Sequence, residues 1–573
     1  MRSASRSTKL LALLLSLFLV AAACGGDDED GEEGQGGTGT TEADGGDEGE
    51  PEPGGTLVIG AEQEMECADW ISSCAGASWG IWTLGGYTMP RVFDFDQESG
   101  EKVPSPLMAS EPELEDDEDG GMTVTYEIAE EAVWSDGEPI TSSDFKFTAE
   151  SIRDGSDIYD KTGYTDITEV DDSDPKVAVV TWSEDFAGWE DLFGGFYGIY
   201  PSHILGELDE AGRNAAMKDG YEWSGGPWML DEWVKGQEIS LIPNDNYWGD
   251  KPHLERVVFR FVPETAAEIE AYRSGQVLAI YPQAQLELQE LVDAPDTEFS
   301  VIDSLNYEAL WLNTDKPPLD SKAVRQALAY ATDRQAIVDA LFKPVNPDIE
   351  PIDAFMTPAN SKWYSEPFDK YSLDLAMVDE LMEGDGWTKG SDGVWEKGGT
   401  KANLEISSTA GNARRERTEE ILQEQWREAG FNLTINNTEA GTLFGEWGPQ
   451  GVFQIALYAQ VPPSTDPAIC ATFCSENIPT TENPSGQNWT RLESDLIDEP
   501  WRAVDSELDE DARAELVDQG HEALAEEVPG MPIDPFPDIF VYNSAKLNGP
   551  LQHNVVYGPF FNMHEWWCTG GTC

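Results

Sequence analysis

Ala132-Val133-Trp134-Ser135-Asp136-Gly137-Glu138-Pro139-Ile140-Thr141-Ser142-Ser143-Asp144-Phe145-Lys146-Phe147-Thr148 compresses a tight turn, a bend and a helix start into one short stretch. Asp136-Gly137 suits a tight turn and Pro139 fixes the bend after it. Asp144 can cap the helix that follows, which is expected from about Thr148 onward. These residues read as determinants of fold; none is placed to do chemistry.

Outward from this stretch the chain alternates strand and helix. Gly55-Thr-Leu-Val-Ile-Gly60 is a β-prone run that should open the fold, and 122–128 and 177–182 read as further strands. Leu241, Ile242 and 256–261 suggest strands returning to the first sheet. Helices are expected over 201–217 and 265–275, the latter stopped by Gly275. The clearest helix is expected over 320–342, capped by Asp320, with Val324, Ala327, Leu328, Ala331, Ile337, Val338 and Leu341 on its apolar face. A second long helix over 414–429 ends at Gly430, and Phe431–Ile435 then alternates as a strand. Helix, glycine stop and strand in that order point to an α/β lobe. The span 453–458 reads as a strand, 508–527 as a helix and 529–540 as extended chain.

The first residues carry a different message. Arg2, Arg6 and Lys9 precede an apolar run over 10–23, too short to span a bilayer but suited to an export signal. Ala21-Ala22-Ala23-Cys24 looks like a lipoprotein signal, with Cys24 as the acylated new N-terminus; an ordinary signal peptide cut nearby is the alternative. The expectation is a signal peptide over 1–23 and an acidic, Gly-rich tether over 24–54 without aromatic, Lys or Arg residues. One acyl chain anchors only marginally, so a lasting anchor takes more than one.

The remaining length is ample for two or more lobes. Across all 573 residues, 34 Lys and Arg face 111 Asp and Glu, a formal charge of −77, with the acids spread along the chain. Such a surface repels itself in dilute salt and is screened in concentrated salt. That suits saline surroundings, with general surface acidity as the plainer alternative. No basic stripe exists to meet phosphates, so nucleic acid is excluded as a partner. With Cys24 assigned to lipid, six cysteines remain as close pairs. In an exported chain these read as disulfides Cys67–Cys74, Cys470–Cys474 and Cys568–Cys573, other connectivities being open. The Cys470/Cys474 pair lacks the further ligands of a zinc site, and the five histidines show no metal spacing, so no metal and no cofactor are expected.

Further blocks follow the opening stretch. They are Gly225-Gly226-Pro227-Trp228-Met229-Leu230, Asn244-Asp245-Asn246-Tyr247-Trp248-Gly249, Pro252 to Phe259, Asn313, Pro318-Leu319-Asp320, and Val324-Arg325-Gln326-Ala327-Leu328-Ala329-Tyr330-Ala331-Thr332-Asp333-Arg334. In order and spacing they resemble the extracellular solute-binding proteins of peptide, or oligopeptide, ABC transporters (family 5). The resemblance implies an α/β, two-lobed periplasmic-binding-protein-like clamp (type II) with an extra subdomain in the first lobe. Lobe I would cover 55–310 with the subdomain at about 90–201, lobe II 311–529, and 530–573 would return to lobe I. It implies a lipid-anchored, monomeric receptor on the outer face of the cytoplasmic membrane, or in a periplasm if an outer membrane exists. That receptor would capture peptides and deliver them to the permease. The same role for a non-peptide solute, an oligosaccharide or an organic cation, stays open.

Family peptide binders often present Ala-Asp-Tyr where this chain has Ala459-Gln460-Val461, the Asp receiving the peptide's α-amine. Gln460 offers no charge-assisted bond, and Asp466 is a substitute or merely part of a turn. Trp70, Trp79, Trp447, Tyr458 and Trp489 fall in loops or strand ends that should border a cleft, where they can cover aliphatic groups, stack on sugars or enclose a cation, or else simply pack. Asn488 could add a polar contact. No nucleophile elbow, metalloprotease helix or phosphate-binding glycine loop is present, so catalysis is not expected.

Overall fold

The computed structural model describes residues 51–573 apart from 52, 73, 75–78, 97–101, 117–120, 195–197, 284–285, 344–348, 463–464, 482, 484–485, 552–553 and 555–557. Cys24 and most of the acidic tether therefore lie outside the described residues.

Two large hydrophobic cores form, with two smaller clusters beside them. One gathers apolar residues from Leu57 to Tyr281 and again from Phe540 to Cys568; the other gathers Tyr307 to Ile533. The first is built on a seven-stranded sheet. Strand Thr56–Ala61 runs parallel to Arg256–Phe261 on one side and to Ala279–Ile280 on the other. Glu238–Pro243 and Trp228–Val234 extend one edge, and Asp538–Asn543 with Thr297–Ile302 completes the other. The second core surrounds a five-stranded sheet ordered Asn432–Ile435, Asn403–Ser407, Ile455–Gln460, Tyr307–Leu312, Gly530–Pro535. All six residues of Tyr307–Leu312 are buried, as expected of a central strand covered on both faces. A separate four-stranded antiparallel sheet, Glu113–Asp116, Met122–Glu127, Val177–Trp182 and Ile167–Asp174, packs under helix Ser142–Asp154 and shares the first core. The expected α/β clamp with an added subdomain is what these sheets build.

Both Tyr307–Leu312 and Gly530–Pro535 belong to the second sheet. The chain thus crosses between lobes after Ile302 and again at Phe536-Pro537, not at 310 and 529. Burial decides this: Leu310 and Ile533 are fully enclosed in the second core.

Local chemistry explains most element ends. Gly137 takes φ 89°, the left-handed turn position that Gly accepts without strain. Helix Ser142–Asp154 begins earlier than expected, because Thr141 is the N-cap and Asp144 the third helical residue of a capping box. The single helix expected over 320–342 is two, Lys322–Tyr330 and Arg334–Leu341. Asp333 accepts from Ala336 N and starts the second, while the N-cap position of the first is Ser321, not Asp320, and its hydroxyl bonds to Asp385 rather than to the helix. The region 201–217 likewise splits into Ser202–Leu205 and Glu210–Met217. Helix Ala413–Ala429 ends at Gly430 in the left-handed conformation, as its sequence predicts.

The cysteines pair as Cys67–Cys74, Cys470–Cys474 and Cys568–Cys573. Cys470 and Cys474 lie near Glu476, but a disulfide offers no thiolates to a metal.

Candidate functional site

A cavity of about 310 Å³ lies between the two lobes and the subdomain, floored by the crossover residues Asn306, Tyr307, Phe536 and Pro537. The first lobe supplies an aromatic wall. Trp79 and Trp82 meet edge-on with ring centroids 5.4 Å apart, and Tyr281 lies 5.0 Å from Trp82 and 5.9 Å from Trp79. The second lobe supplies another: Tyr458 sits 5.8 Å from Trp489 and 5.5 Å from Phe444, and stacks on Trp311 at 5.0 Å. The subdomain contributes Tyr159, Tyr164 and Phe186. Edge-to-face pairs of this kind hold rings rigidly while leaving faces for a ligand.

Of the residues expected at the site, Trp79, Tyr458, Gln460 and Trp489 line the cavity. Gln460 ends strand Ile455–Gln460, opposite Tyr307, so it stands at the cavity rim with backbone beyond it free of the ladder. Three expectations are corrected. Trp70 is 2% exposed and fills the space above Gly80 and Gly85, where a Cβ on Gly85 would come within 2.4 Å of the indole. The Cys67–Cys74 loop thus pins Trp70 into the core. Asn488 is fully buried: its amide donates to the carbonyls of Phe473 (2.9 Å) and Cys474 (3.1 Å), and its Oδ1 accepts from Thr490 Oγ1 (2.7 Å) and Arg491 N (3.1 Å). With its hydrogen-bonding capacity used locally, it braces a turn. Trp447, half-buried on a short helical turn, is not among the lining residues.

Sequence reasoning did not single out Glu62, Tyr159, Tyr281, Arg415 or Asp505, all of which line the cavity. Each depends on contacts far apart in the chain. Tyr281 donates to Asp538 Oδ1 (2.7 Å), which also accepts from Asn306 Nδ2 (3.1 Å). Burial pushes Asp538 up to about 7 despite these bonds. Glu62 Oε1 accepts from Gln283 N (3.3 Å), and burial pushes it up to about 7 against the pull of Arg415 and Arg414. Arg415 Nε donates to Glu308 Oε1 (2.9 Å). Asp466, considered as a replacement for the missing carboxylate, is held by Arg513 at 2.7 and 3.0 Å. Its charge is already matched.

Hydrogen bonds tie the parts together across the cavity. Gln487 Nε2 of the second lobe donates to Tyr159 O of the subdomain (3.1 Å), Ala187 N donates to Asp505 O (2.7 Å), and Asn412 Nδ2 donates to Gln283 Oε1. The arrangement can enclose a small solute behind aromatic rings. Among the described residues lining it, none pairs a nucleophile with a base.

The model of the bacterial extracellular solute-binding proteins, family 5 Middle, matches residues 103–476. The chain is 23% identical over 556 residues to the oligopeptide-binding protein AppA of Bacillus subtilis, covering 91% of this chain and 92% of that one. It is 27% identical over 356 residues to the oligopeptide-binding protein OppA of Lactococcus lactis, 55% and 58% of the two chains. Among solved structures, AppA with a nonapeptide superposes with TM-score 0.79 at 19% identity, over 91% of this chain and 100% of that one. A periplasmic EDTA-binding protein, EppA, superposes with TM-score 0.79 at 22% identity, over 91% and 97%. These likenesses establish the type II periplasmic-binding fold with its extra subdomain. Captured solute passes to an ABC importer outside the cytoplasm, without chemical change. From the matched model and the two-lobed clamp around an aromatic-lined cavity, this chain belongs to the bacterial extracellular solute-binding proteins, family 5.

Proposed function

We propose that this protein captures short peptides outside the cell and hands them to its permease as a lipid-anchored, monomeric receptor. The observation that carries the reading is the aromatic-lined cavity with Gln460 and the run from Ala459 to Pro462 among its lining residues. An extended peptide can pair with the backbone of such a run while its side chains lie against rings. At about 310 Å³ the cavity is at the small end of ligand pockets, typically ~300–1,000 Å³, which favours short peptides. The name of AppA as an oligopeptide-binding protein supports the solute class. The likeness to the EDTA-binding protein EppA keeps a non-peptide solute as the second reading.

The test is a thermal-shift screen on purified protein in high salt, refolded to remove bound solute. Di- to decapeptides should raise the melting temperature by mass action, di- to tetrapeptides most. A shift with oligosaccharides or organic cations and none with peptides would overturn the peptide reading and keep the transport role.

The anchor reading rests on Ala21-Ala22-Ala23-Cys24 and the apolar run before it. Cys24→Ala should move the protein from the membrane fraction to the medium or periplasm. Unchanged membrane retention would sink it.

A further inference from the structure

Cations are scarce in this chain, 34 against 111 acidic residues, so the carboxylates that lack one are informative. At the subdomain end of the cavity Arg513 is committed to Asp466, and its Nε donates to Val504 O (2.8 Å). Lys102 is committed to Asp191 (2.6 Å). Asp505 has neither. It lines the cavity, yet its Oδ1 is buried and takes no hydrogen bond. A buried, unmatched carboxyl oxygen costs stability and calls for an explanation.

The surroundings increase the negative potential. Asp505 sits in the last turn of helix Asp495–Ser506, where the helix dipole is negative. Asp160 faces it from the subdomain, its Oδ1 accepting from Thr162 N (2.9 Å) and Thr162 Oγ1 (2.7 Å). Burial, with Asp466 and Asp160 adding to it, pushes Asp505 up to about 8. The rings of Tyr159 and Phe186 line the same cavity, and aromatic faces favour cations.

We propose that Asp505, with Asp160 and Asp466 beside it, forms a subsite for a cationic group of the bound solute, an ammonium or a guanidinium. A cation there would satisfy the bare oxygen and make solute binding and charge neutralisation one event. This rests on the solute-capture reading and narrows it to basic solutes. The shared chemistry has three sources: a basic peptide side chain, a peptide α-amine, or a small organic cation.

The test titrates the purified protein calorimetrically with Ala-Ala-Lys-Ala and its norleucine counterpart, each free and N-acetylated, and with putrescine. Wild type, Asp505→Asn and the exposed control Asp511→Asn are compared, with melting curves to confirm folding. Asp511→Asn removes the same charge from the surface, so it separates the subsite from general attraction to an acidic protein. At least a tenfold preference for a charged over a neutral probe is expected, lost in Asp505→Asn and kept in Asp511→Asn. Preference for lysine that survives acetylation assigns the side chain. Weakening of the norleucine peptide by acetylation, seen only when Asp505 is present, assigns the α-amine. Putrescine binding that depends on Asp505 assigns a free cation, and if it comes with no peptide binding it breaks only the peptide reading. Equal affinity for charged and neutral probes overturns the subsite and leaves solute capture standing. A preference that Asp505→Asn retains, or no binding of any probe, also overturns it.

Discussion

Two groups of buried acids in this molecule are built in opposite ways. At the crossover strands, Glu308 and Asp534 are met by Arg414, which bonds to both, and Arg415 adds a second bond to Glu308 at 2.9 Å. All four side chains are at most 4% exposed, and the Arg414 guanidinium lies 4.7 Å from the ring of Phe536. The arginines hold Glu308 below its ordinary range although burial alone would raise it, while at Asp534 burial outweighs Arg414 and pushes the carboxyl up to about 7. At the cavity corner, Asp505 has no cation bonded to it among the described residues, Arg513 being paired with Asp466 and acting on it only from a distance, and burial pushes it up to about 8. In a chain so short of Lys and Arg, the cations that are buried mark places where geometry must be fixed. The bare carboxylate marks a place where charge is to come from outside.

The strongest break of this contrast is Arg414→Met. It keeps volume and removes the cation, leaving Asp534 buried and unmatched; the loss of stability should be about 3–5 kcal/mol, read by denaturant unfolding. Adding Asp534→Asn to that variant should recover a large part of the loss, because the penalty lies in the orphaned charge. A single variant of unchanged stability would mean that the knot contributes nothing to the crossovers.

Asp505→Asn should act in the other direction. The folded-state value of Asp505, about 8, lies above its ordinary 3.8. Its contribution therefore favours folding at low pH and is lost as pH rises through 8. Asn escapes that loss. The unliganded variant should match wild type near pH 4 and exceed it by about 1–3 kcal/mol near pH 8, measured as the difference in melting curves across pH. Loss of stability at every pH would show that Asp505 is structural.

Binding should show the same titration. Asp505 faces Asp466 with its partner Arg513, Asp160 from the subdomain, and Glu476. A guanidinium solute keeps its own charge over this range, so its affinity should rise with pH up to about 8, by at most ~10-fold per unit. A flat profile would separate Asp505 from the ligand.

How much of this was legible depended on reach. The turn at Asp136-Gly137 and the helix stop at Gly430 are written in single residues whose local conformation decides the outcome. The break at Ala331-Thr332-Asp333 was not, because apolar spacing continues on both sides and only the Asp333 cap interrupts it. Trp79, Tyr458, Gln460 and Trp489 were found because strand ends and loops of a clamp border its cleft. The same rule failed for Trp70 and Asn488, whose partners are glycines and carbonyls that no periodicity reveals. Asp505 was invisible as one acid among 111, on a helix whose charged face resembles ordinary solvated surface. What distinguishes it is the combination, seen only in three dimensions, of a place in the cavity lining and a buried oxygen without a hydrogen bond.

The finest test of the contrast moves a carboxylate to where relatives of the resembled family often have one. Gln460 stands at the cavity rim, at the end of strand Ile455–Gln460. It is half-buried, so a charge placed there keeps part of its hydration. Gln460→Asp should strengthen binding of a peptide with a free α-amine over its acetylated form by roughly 3–10-fold, the gain from one partly screened charge-assisted hydrogen bond. If Asp505 already takes the amine, the new carboxylate competes for it and the gain should appear only in the Asp505→Asn background. A gain in wild type would instead place the amine at the rim and leave Asp505 for a basic side chain. Identical affinities for blocked and unblocked peptides in both backgrounds would mean that position 460 does not face the ligand's amine.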